Sequence, residues 1–144
     1  MDFPLLGALR DQLRPNRKEY PFFPFRNLIF AALGAFYGYH IGVLNIALGI
    51  VKSSDPFPDC TPQFCEKLQD ALTESVANPV IIHSPLITMD KSDVVRYGSA
   101  YNFPYELTYS CYEGRTRHCG KCPACIARKE AFSESGLEDP TSYE

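Results

Sequence analysis

Residues 28–51 read LIFAALGAFYGYHIGVLNIALGIV, a run of 24 residues without one charged side chain. This length would allow a single helix to cross a lipid bilayer. The run also contains three glycines at four-residue spacing, a pattern that lets two membrane helices approach closely. They are Gly34, Gly38 and Gly42. The fold therefore depends on whether the run forms one membrane helix or two shorter elements.

Polar groups occupy the centre of this run, where a membrane helix would need internal partners for them. They are Tyr37, Tyr39, His40 and Asn45. The run divides at Gly42. NLIFAALGAFYGYH before this glycine predicts a buried helix, and VLNIALG after it predicts a short parallel strand covered on both faces. We therefore interpret the run as a helix followed by a strand in a soluble α/β protein, without a membrane partner.

The same alternation continues toward the C-terminus. The predicted elements are a helix from Pro62 to Val76 capped by Thr61, a strand at 79–83, a helix that follows Asp90 and ends near residue 102, and a helix from Pro123 that fades by Gly136. Phe64, Leu68, Ala71 and Leu72 form the apolar face of the first of these helices.

Alternating helices and strands predict an α/β fold with a parallel sheet. Only two strands are clear, and a parallel sheet needs cover on both faces and neighbours at its edges. Either further strands lie in residues 1–26 or another chain supplies them. We divide the chain into a lead-in with an aromatic-rich extended segment (1–26), an α/β body (27–104), a cysteine-rich segment (105–135) and a frayed tail (136–144).

Composition excludes several classes of protein. The chain is 45% hydrophobic and 22% charged, so it can form a core. Its formal net charge of −3 gives no broad basic footprint for nucleic acid, and a small-molecule substrate is the better default. Residues 1–20 lack the basic start and sustained apolar core of a secretory signal. We therefore expect a cytoplasmic protein, whose six cysteines stay reduced and act as ligands or buried thiols.

Four of these cysteines have the spacing C-x7-C-x2-C-x2-C: Cys111, Cys119, Cys122 and Cys125. Two residues between cysteines is the short chelating span of structural zinc sites, so we predict zinc held by four thiolates in a zinc-binding segment at 105–135. An iron–sulfur run of the bacterial ferredoxin type would need a cysteine where Lys129 stands. A thioredoxin-like pair would need one CxxC rather than a cluster. His118 could replace one thiolate.

Three other side chains invite a prediction. Cys65 is expected to be a buried thiol, since cysteine is among the most buried residue types. Cys60 lies in a polar, proline-rich loop and is a candidate neighbour of an active site. His83 ends a predicted strand and is expected to be a hydrogen-bonded core histidine rather than a base.

The cysteine segment also resembles a known family. ELTYSCYEG followed by HCGKCPACIARKEAF, together with PFRNLIF, NIALGI, PFPDCTPQF and IIHSPLITMDKSDVVRYG in the same order, is similar to the 7-cyano-7-deazaguanine synthase family of queuosine biosynthesis. The resemblance covers roughly residues 20–133. It implies a Rossmann-like PP-loop ATPase fold and zinc on the four cysteines of the cluster.

The resemblance also implies an activity. Enzymes of this family are ATP-dependent carbon–nitrogen ligases that convert 7-carboxy-7-deazaguanine and ammonia into a nitrile. ATP would activate the carboxylate to give an amide, and then activate that amide for dehydration. Magnesium normally accompanies such nucleotide chemistry, and members of the family are often homodimers.

One family feature is absent from the printed sequence. The serine-glycine loop SGGxDS, which cradles pyrophosphate with backbone N–H groups, has no counterpart here. The expected fold is therefore a partial PP-loop ATPase sheet without its N-terminal strands. A partner chain or a missing N-terminal segment would supply the loop, and a homo-oligomer is the other assembly expected. The alternative is a zinc-stabilised interaction module or an altered-substrate derivative of the family.

The resemblance also suggests substrate-binding residues. Arg26 and Asn27 match an arginine–asparagine pair at a helix start, which suits an anionic ligand. Asp59 and Thr61 lie in a loop after the carboxyl end of a strand, where ligands bind in open α/β sheets. Lys91 matches a lysine that would contact phosphate. The alternatives are that Asn27 caps the helix beside a solvated Arg26, that Asp59 and Thr61 form a turn and a cap, and that Lys91 is solvated.

Overall fold

The computed structural model describes residues 23–52, 57–114 and 116–144. Its regular elements are α1 (Arg26–Ile41), β1 (Asn45–Ala47), a 3-10 turn (Pro58–Cys60), α2 (Pro62–Val76), β2 (Ile81–His83), α3 (Lys91–Ala100), a second 3-10 turn (Tyr105–Leu107) and α4 (Pro123–Ser135). This order is the one predicted. The lead-in and any strands within residues 1–22 lie outside the described residues, as do residues 20–22 of the aromatic-rich segment.

The described residues form two compact units. One comprises residues 24–90, and the other comprises Phe23 and residues 91–144. The division therefore falls at the start of α3, whereas the predicted boundary follows residue 104. In the second unit α3 packs against α4 beside the cysteine-rich segment.

The first unit contains a parallel sheet of the expected type. β1 and β2 pair with Asn45 opposite Ile81 and Ala47 opposite His83. The pairing extends beyond the strands, because the N–H of Leu48 donates to the carbonyl oxygen of His83 at 2.8 Å. Helices α1 and α2 cover this ribbon, and their shared core contains Ala31, Leu48, Ile50, Cys65 and Leu68. Within the described residues the sheet has two strands.

The prediction that α1 and β1 are buried on all sides is wrong for the described chain. Only one narrow side of α1 is buried, formed by Asn27, Ala31, Ala35 and Gly38. Large apolar side chains on its other sides are exposed, including Phe30, Leu33, Phe36 and Tyr37. Ile46 of β1 is half-buried and its two neighbours in the strand are exposed. The apolar sequence indicates that the surfaces of α1 and β1 pack against other residues. It does not indicate whether those residues belong to the described part of the chain.

The glycine repeat of α1 has a role within this unit. A Cβ added to Gly38 would lie 2.1 Å from the carbonyl oxygen of Val43, and one on Gly34 would lie 3.5 Å from the Ile46 side chain. Gly42 ends the helix with φ at 75°. The repeat therefore lets the chain turn sharply and run back along its own helix. None of the described helices is long and apolar enough to cross a membrane.

Helix α2 begins and ends where the sequence predicted. The Oγ1 atom of Thr61 accepts a hydrogen bond from the N–H of Phe64 at 3.1 Å, which confirms the cap. Cys65 is buried, as expected. Ala71, which was assigned to the apolar face, is instead exposed.

In the second unit, Val95, Ala131 and Phe132 form the core between α3 and α4. Helix α4 ends as predicted at Gly136, whose φ of 75° is readily available to glycine. The prediction of a frayed tail beyond it is wrong. The backbone of Tyr143 pairs with that of His118, and Asp139 forms an ion pair with Arg128. These partners are distant in sequence, so local composition carried no signal of them.

Candidate metal centre

Local backbone structure brings the four cysteines of the cluster together. Cys122 is the N-cap of α4, and Pro123 starts the helix, so Cys125 lies one turn further along. The loop before the helix bends at Gly114 and Gly120, whose φ values of 66° and 72° favour glycine. The segment bearing Cys111 and Cys119 thus returns to the start of α4.

The sulfur atoms of Cys111, Cys119, Cys122 and Cys125 all lie within 4.8 Å of one another, and all four residues are buried. The Sγ atoms of Cys119 and Cys125 are 4.0 Å apart. Zinc–sulfur bonds of about 2.3 Å in a tetrahedron require sulfurs roughly 3.8 Å apart. The four sulfurs therefore fit a tetrahedral ion with little adjustment.

Backbone N–H groups donate hydrogen bonds to sulfurs of this cluster. The N–H groups of Glu113 and Cys119 donate to Sγ of Cys111, each at 3.4 Å. The N–H of Cys122 donates to Sγ of Cys119 at 3.3 Å. Such donors stabilise thiolates, the form in which cysteine binds a metal.

These contacts give the thiols of Cys111 and Cys125 very different pKa values. Burial works to raise the pKa of Cys111, but the N–H groups of Cys119 and Glu113 outweigh it and lower this pKa to about 6. Burial and the neighbouring Cys122 thiol raise the pKa of Cys125 to about 12. Without a cation the cluster therefore keeps at least one proton. A divalent ion allows all four to ionise, and with four protein ligands it has no open position for a substrate.

His118 does not belong to the ligand set. Among the described residues, the group of ligand atoms close enough to share a metal consists of the four sulfurs alone. The Nε2 atom of His118 accepts a hydrogen bond from the N–H of Ser110 at 3.1 Å. Burial lowers the pKa of this imidazole. His118 is thus a buried neutral histidine beside Cys119 that supports the loop.

A second group of predicted residues meets at the N-terminus of α1. The N–H of Asn27 donates to Oδ2 of Asp59 at 3.0 Å, and the side-chain amide of Asn27 donates to the Asp59 carbonyl oxygen at 2.8 Å. Both residues are buried. Arg26 lies beside them, its guanidinium 5.8 Å from the centre of the Phe57 ring and 3.9 Å from Sγ of Cys60.

This geometry corrects one of the alternatives given for Asn27. Asn27 does not cap α1, because the N-cap is Phe25 and makes no side-chain hydrogen bond. Asp59 supplies the cap from 32 residues away. Cys60 does lie within this cluster, where burial and then the Asp59 carboxylate raise the pKa of its thiol.

The remaining candidate residues do not belong to the hydrogen-bonded pair of Asn27 and Asp59. Thr61 caps α2, and Lys91 is an exposed first residue of α3 in the other unit. His83 is not a core residue, since it is exposed, with Nε2 2.9 Å from Oδ1 of Asn45. The hydrogen bonds that join Asn27 to Asp59 were not predicted, and neither was the ion pair between Arg128 and Asp139. Both contacts join residues of different elements, so the local sequence pattern gave no signal for either.

Comparison with known proteins agrees with the family resemblance of the sequence. The sequence model of the family described as queuosine biosynthesis protein QueC matches residues 8–136. The chain is 40% identical over 123 residues to a 7-cyano-7-deazaguanine synthase of Oceanobacillus iheyensis, covering 83% of this chain and 56% of that protein. The corresponding protein of Thermoplasma acidophilum is 35% identical over 135 residues, covering 90% and 57%. The chain thus spans about half the length of these curated relatives.

Proposed function

The chain belongs to the QueC family of queuosine biosynthesis proteins, and from this membership we propose that it takes part in the ATP-dependent conversion of 7-carboxy-7-deazaguanine and ammonia into the nitrile. The product would be 7-cyano-7-deazaguanine, the compound after which its relatives are named. The buried four-sulfur cluster, together with identity of 40% over most of the chain, carries this proposal.

Zinc is the proposed metal, held by Cys111, Cys119, Cys122 and Cys125. Four thiolates suit zinc, and a site closed by four protein ligands is structural rather than catalytic. Bound zinc would supply a cross-link between the 111–119 loop and the start of α4. We expect about one zinc per purified chain, measured by elemental analysis.

Substrate binding is proposed for the cluster at the start of α1, and phosphate contact is proposed separately for Lys91, which belongs to the other unit. Asn27 and Asp59 hydrogen bond to each other, so their proposed role is to hold the 58–60 turn against the helix. Arg26 then contributes the positive charge for the substrate carboxylate, beside the N–H groups of the helix start. Thr61 positions α2 at the same turn.

ATP and magnesium would bind to a phosphate loop that the printed sequence does not contain. We propose that a partner chain or additional polypeptide contributes this loop to the assembled cytoplasmic enzyme, which could also be a homo-oligomer. The exposed apolar sides of α1 and the two-stranded sheet support this proposal, because both surfaces call for further cover. The same exposed surface favours one alternative, a zinc-stabilised interaction module without catalysis.

Reconstitution distinguishes the two functions. The chain would be mixed with the portion of the Oceanobacillus iheyensis relative that it does not match, together with ATP, magnesium, ammonia and the carboxylate substrate. The enzyme proposal predicts nitrile formation, detected by mass spectrometry, that requires both polypeptides. Arg26→Ala should lower the rate, whereas Arg96→Ala, at an exposed position of α3, should not. Absence of nitrile, when the intact relative produces it, would favour the interaction module.

A further inference from the structure

The last eight residues, 137–144, pack against the cysteine cluster. The N–H of Glu144 donates to the carbonyl oxygen of His118 at 2.8 Å, and Tyr143 forms a parallel bridge with His118. The guanidinium of Arg117 donates to the carbonyl oxygen of Tyr143. Residues 137–144, here called the strap, therefore add a short strand to the segment that leads into Cys119. They lie beyond the region matched by the family model, which ends at residue 136.

The side chain of Tyr143 covers the same segment. Its ring packs edge-on to the His118 ring with centroids 5.8 Å apart, and Tyr143 contacts the cluster of four buried cysteines. A Cβ on Gly120 would lie 3.5 Å from the Cβ of Tyr143, and the Lys129 ammonium lies 4.2 Å from the centre of the tyrosine ring. Tyr143 thus contacts residues on both sides of Cys119.

Asp139 anchors the strap to helix α4. Its carboxylate accepts two hydrogen bonds from Nε of Arg128, at 3.1 and 3.2 Å, and a further one from the Tyr143 hydroxyl. The side chains of Arg128 and Asp139 are only 9% and 11% exposed, so solvent screens this ion pair weakly. Arg128 also donates to Oγ1 of Thr108 at 2.6 Å and to the carbonyl oxygen of Tyr105 at 3.2 Å.

These contacts enclose one metal-binding segment. His118 and Gly120, on either side of Cys119, contact Tyr143 of the strap, and the strap is fixed to α4, which has Cys122 as its N-cap and contains Cys125. We propose that Tyr143 and Asp139 are positioning residues that hold Cys119 in metal-binding geometry. This inference rests on the proposed metal site. In this proposal the strap slows the dissociation of Cys119 from the bound ion.

Metal release tests this assignment. For an ion to leave, the segment bearing Cys119 must move away, and the strap opposes this movement. Loss of groups that orient metal ligands typically costs about 10- to 100-fold in metal affinity. We expect Tyr143→Ala to release metal to a chromogenic chelator about tenfold faster than the unaltered chain. Tyr143→Phe keeps the ring but loses the hydrogen bond to Asp139, so its rate should lie between the two.

The experiment would use the full chain loaded with zinc, and in parallel with cobalt, whose absorption spectrum reports the number of sulfur ligands. Tyr101→Ala is the matched control, since it removes the same side chain from an exposed position in the same unit. If Tyr143→Ala does not fold, Glu144→Pro removes the N–H that donates to the His118 carbonyl oxygen, together with the Glu144 side chain, and should also speed release. Thermal unfolding of each variant separates general destabilisation from faster release.

The outcomes distinguish the two proposals. If the unaltered chain binds no zinc or cobalt, the proposed metal site itself is wrong. If it binds one ion but Tyr143→Ala, Glu144→Pro and Tyr101→Ala all release it at the unaltered rate, the positioning role is wrong and the metal site stands. Faster release confined to the strap variants, with a perturbed cobalt spectrum, would support the assignment.

Discussion

At the scale of single residues, Gly98 of α3 shows how close packing restricts which amino acid a position can hold. A Cβ at this position would lie 2.1 Å from the Tyr105 hydroxyl oxygen. That hydroxyl donates to the carbonyl oxygens of Val94 and Val95, at 3.1 and 2.9 Å. Gly98→Ala should therefore destabilise the chain, although alanine is the better helix former by about 1 kcal/mol. We expect a net loss of about 1–3 kcal/mol in chemical denaturation, which is typical of overpacking.

A companion substitution tests the cause of this loss. Tyr105→Phe removes the clashing oxygen, and the nearest ring carbon would then lie 3.0 Å from the new Cβ. Gly98→Ala should therefore cost less in the Tyr105→Phe background than in the unaltered chain. Gly49→Ala is the control, since its added Cβ would meet nothing within 4 Å. Equal losses at Gly98 in both backgrounds would contradict the steric explanation.

Cysteine spacing shows how far a sequence can locate a site at this scale. The separations between Cys111, Cys119, Cys122 and Cys125 predicted the cluster, because two-residue steps restrict where the sulfurs can lie. Those separations carried no information on Tyr143, which reaches the cluster from 18 residues beyond Cys125. Ligands close in sequence were therefore predictable, and the residues that hold them in place were not.

At the scale of elements, α1 depends on a cap from another segment. Asp59 accepts the N–H of Asn27 in a buried position, and the N-cap residue Phe25 makes no side-chain hydrogen bond. Asp59→Ala would leave this donor unpaired. We expect a loss of about 1–3 kcal/mol in unfolding free energy, the usual cost of an unsatisfied buried group. Asp70→Ala, on the exposed side of α2, should change it by less than about 0.5 kcal/mol.

Circular dichroism during denaturation would measure both Asp59→Ala and Asp70→Ala. Equal stabilities would show that Asp59 is not needed for α1, and its proposed role at the substrate site would then have to rest on direct binding.

Helix bounds themselves were predictable where the signals were local. Thr61 with Pro62 marked the start of α2, and Gly136 marked the end of α4. The start of α1 lacked such a signal, because its cap comes from Asp59 across the fold.

At the scale of the whole molecule, alternating elements predicted the parallel α/β arrangement but not its completeness. The apolar sequence of α1 led to an expectation of burial, and Phe30 and Phe36 are 58% and 67% exposed in the described chain. A hydrophobic pattern records the surface that a fold must cover. It does not record which polypeptide packs against that surface. For this reason the predicted burial of α1 was less accurate than the predicted order of elements.

The division into two compact units leads to a prediction about metal removal. All four sulfurs of the cluster lie in the unit that contains residues 91–144, so a chelator should loosen this unit and leave residues 24–90 unchanged. We expect amide hydrogen exchange in peptides from Cys119 to Ile126 to accelerate by more than about tenfold, equivalent to about 1.4 kcal/mol of local opening free energy. Peptides from Ala31 to Leu48 should exchange at an unaltered rate. Chelator already saturated with zinc is the control, and equal acceleration in both units would show that the ion stabilises the chain as one cooperative body.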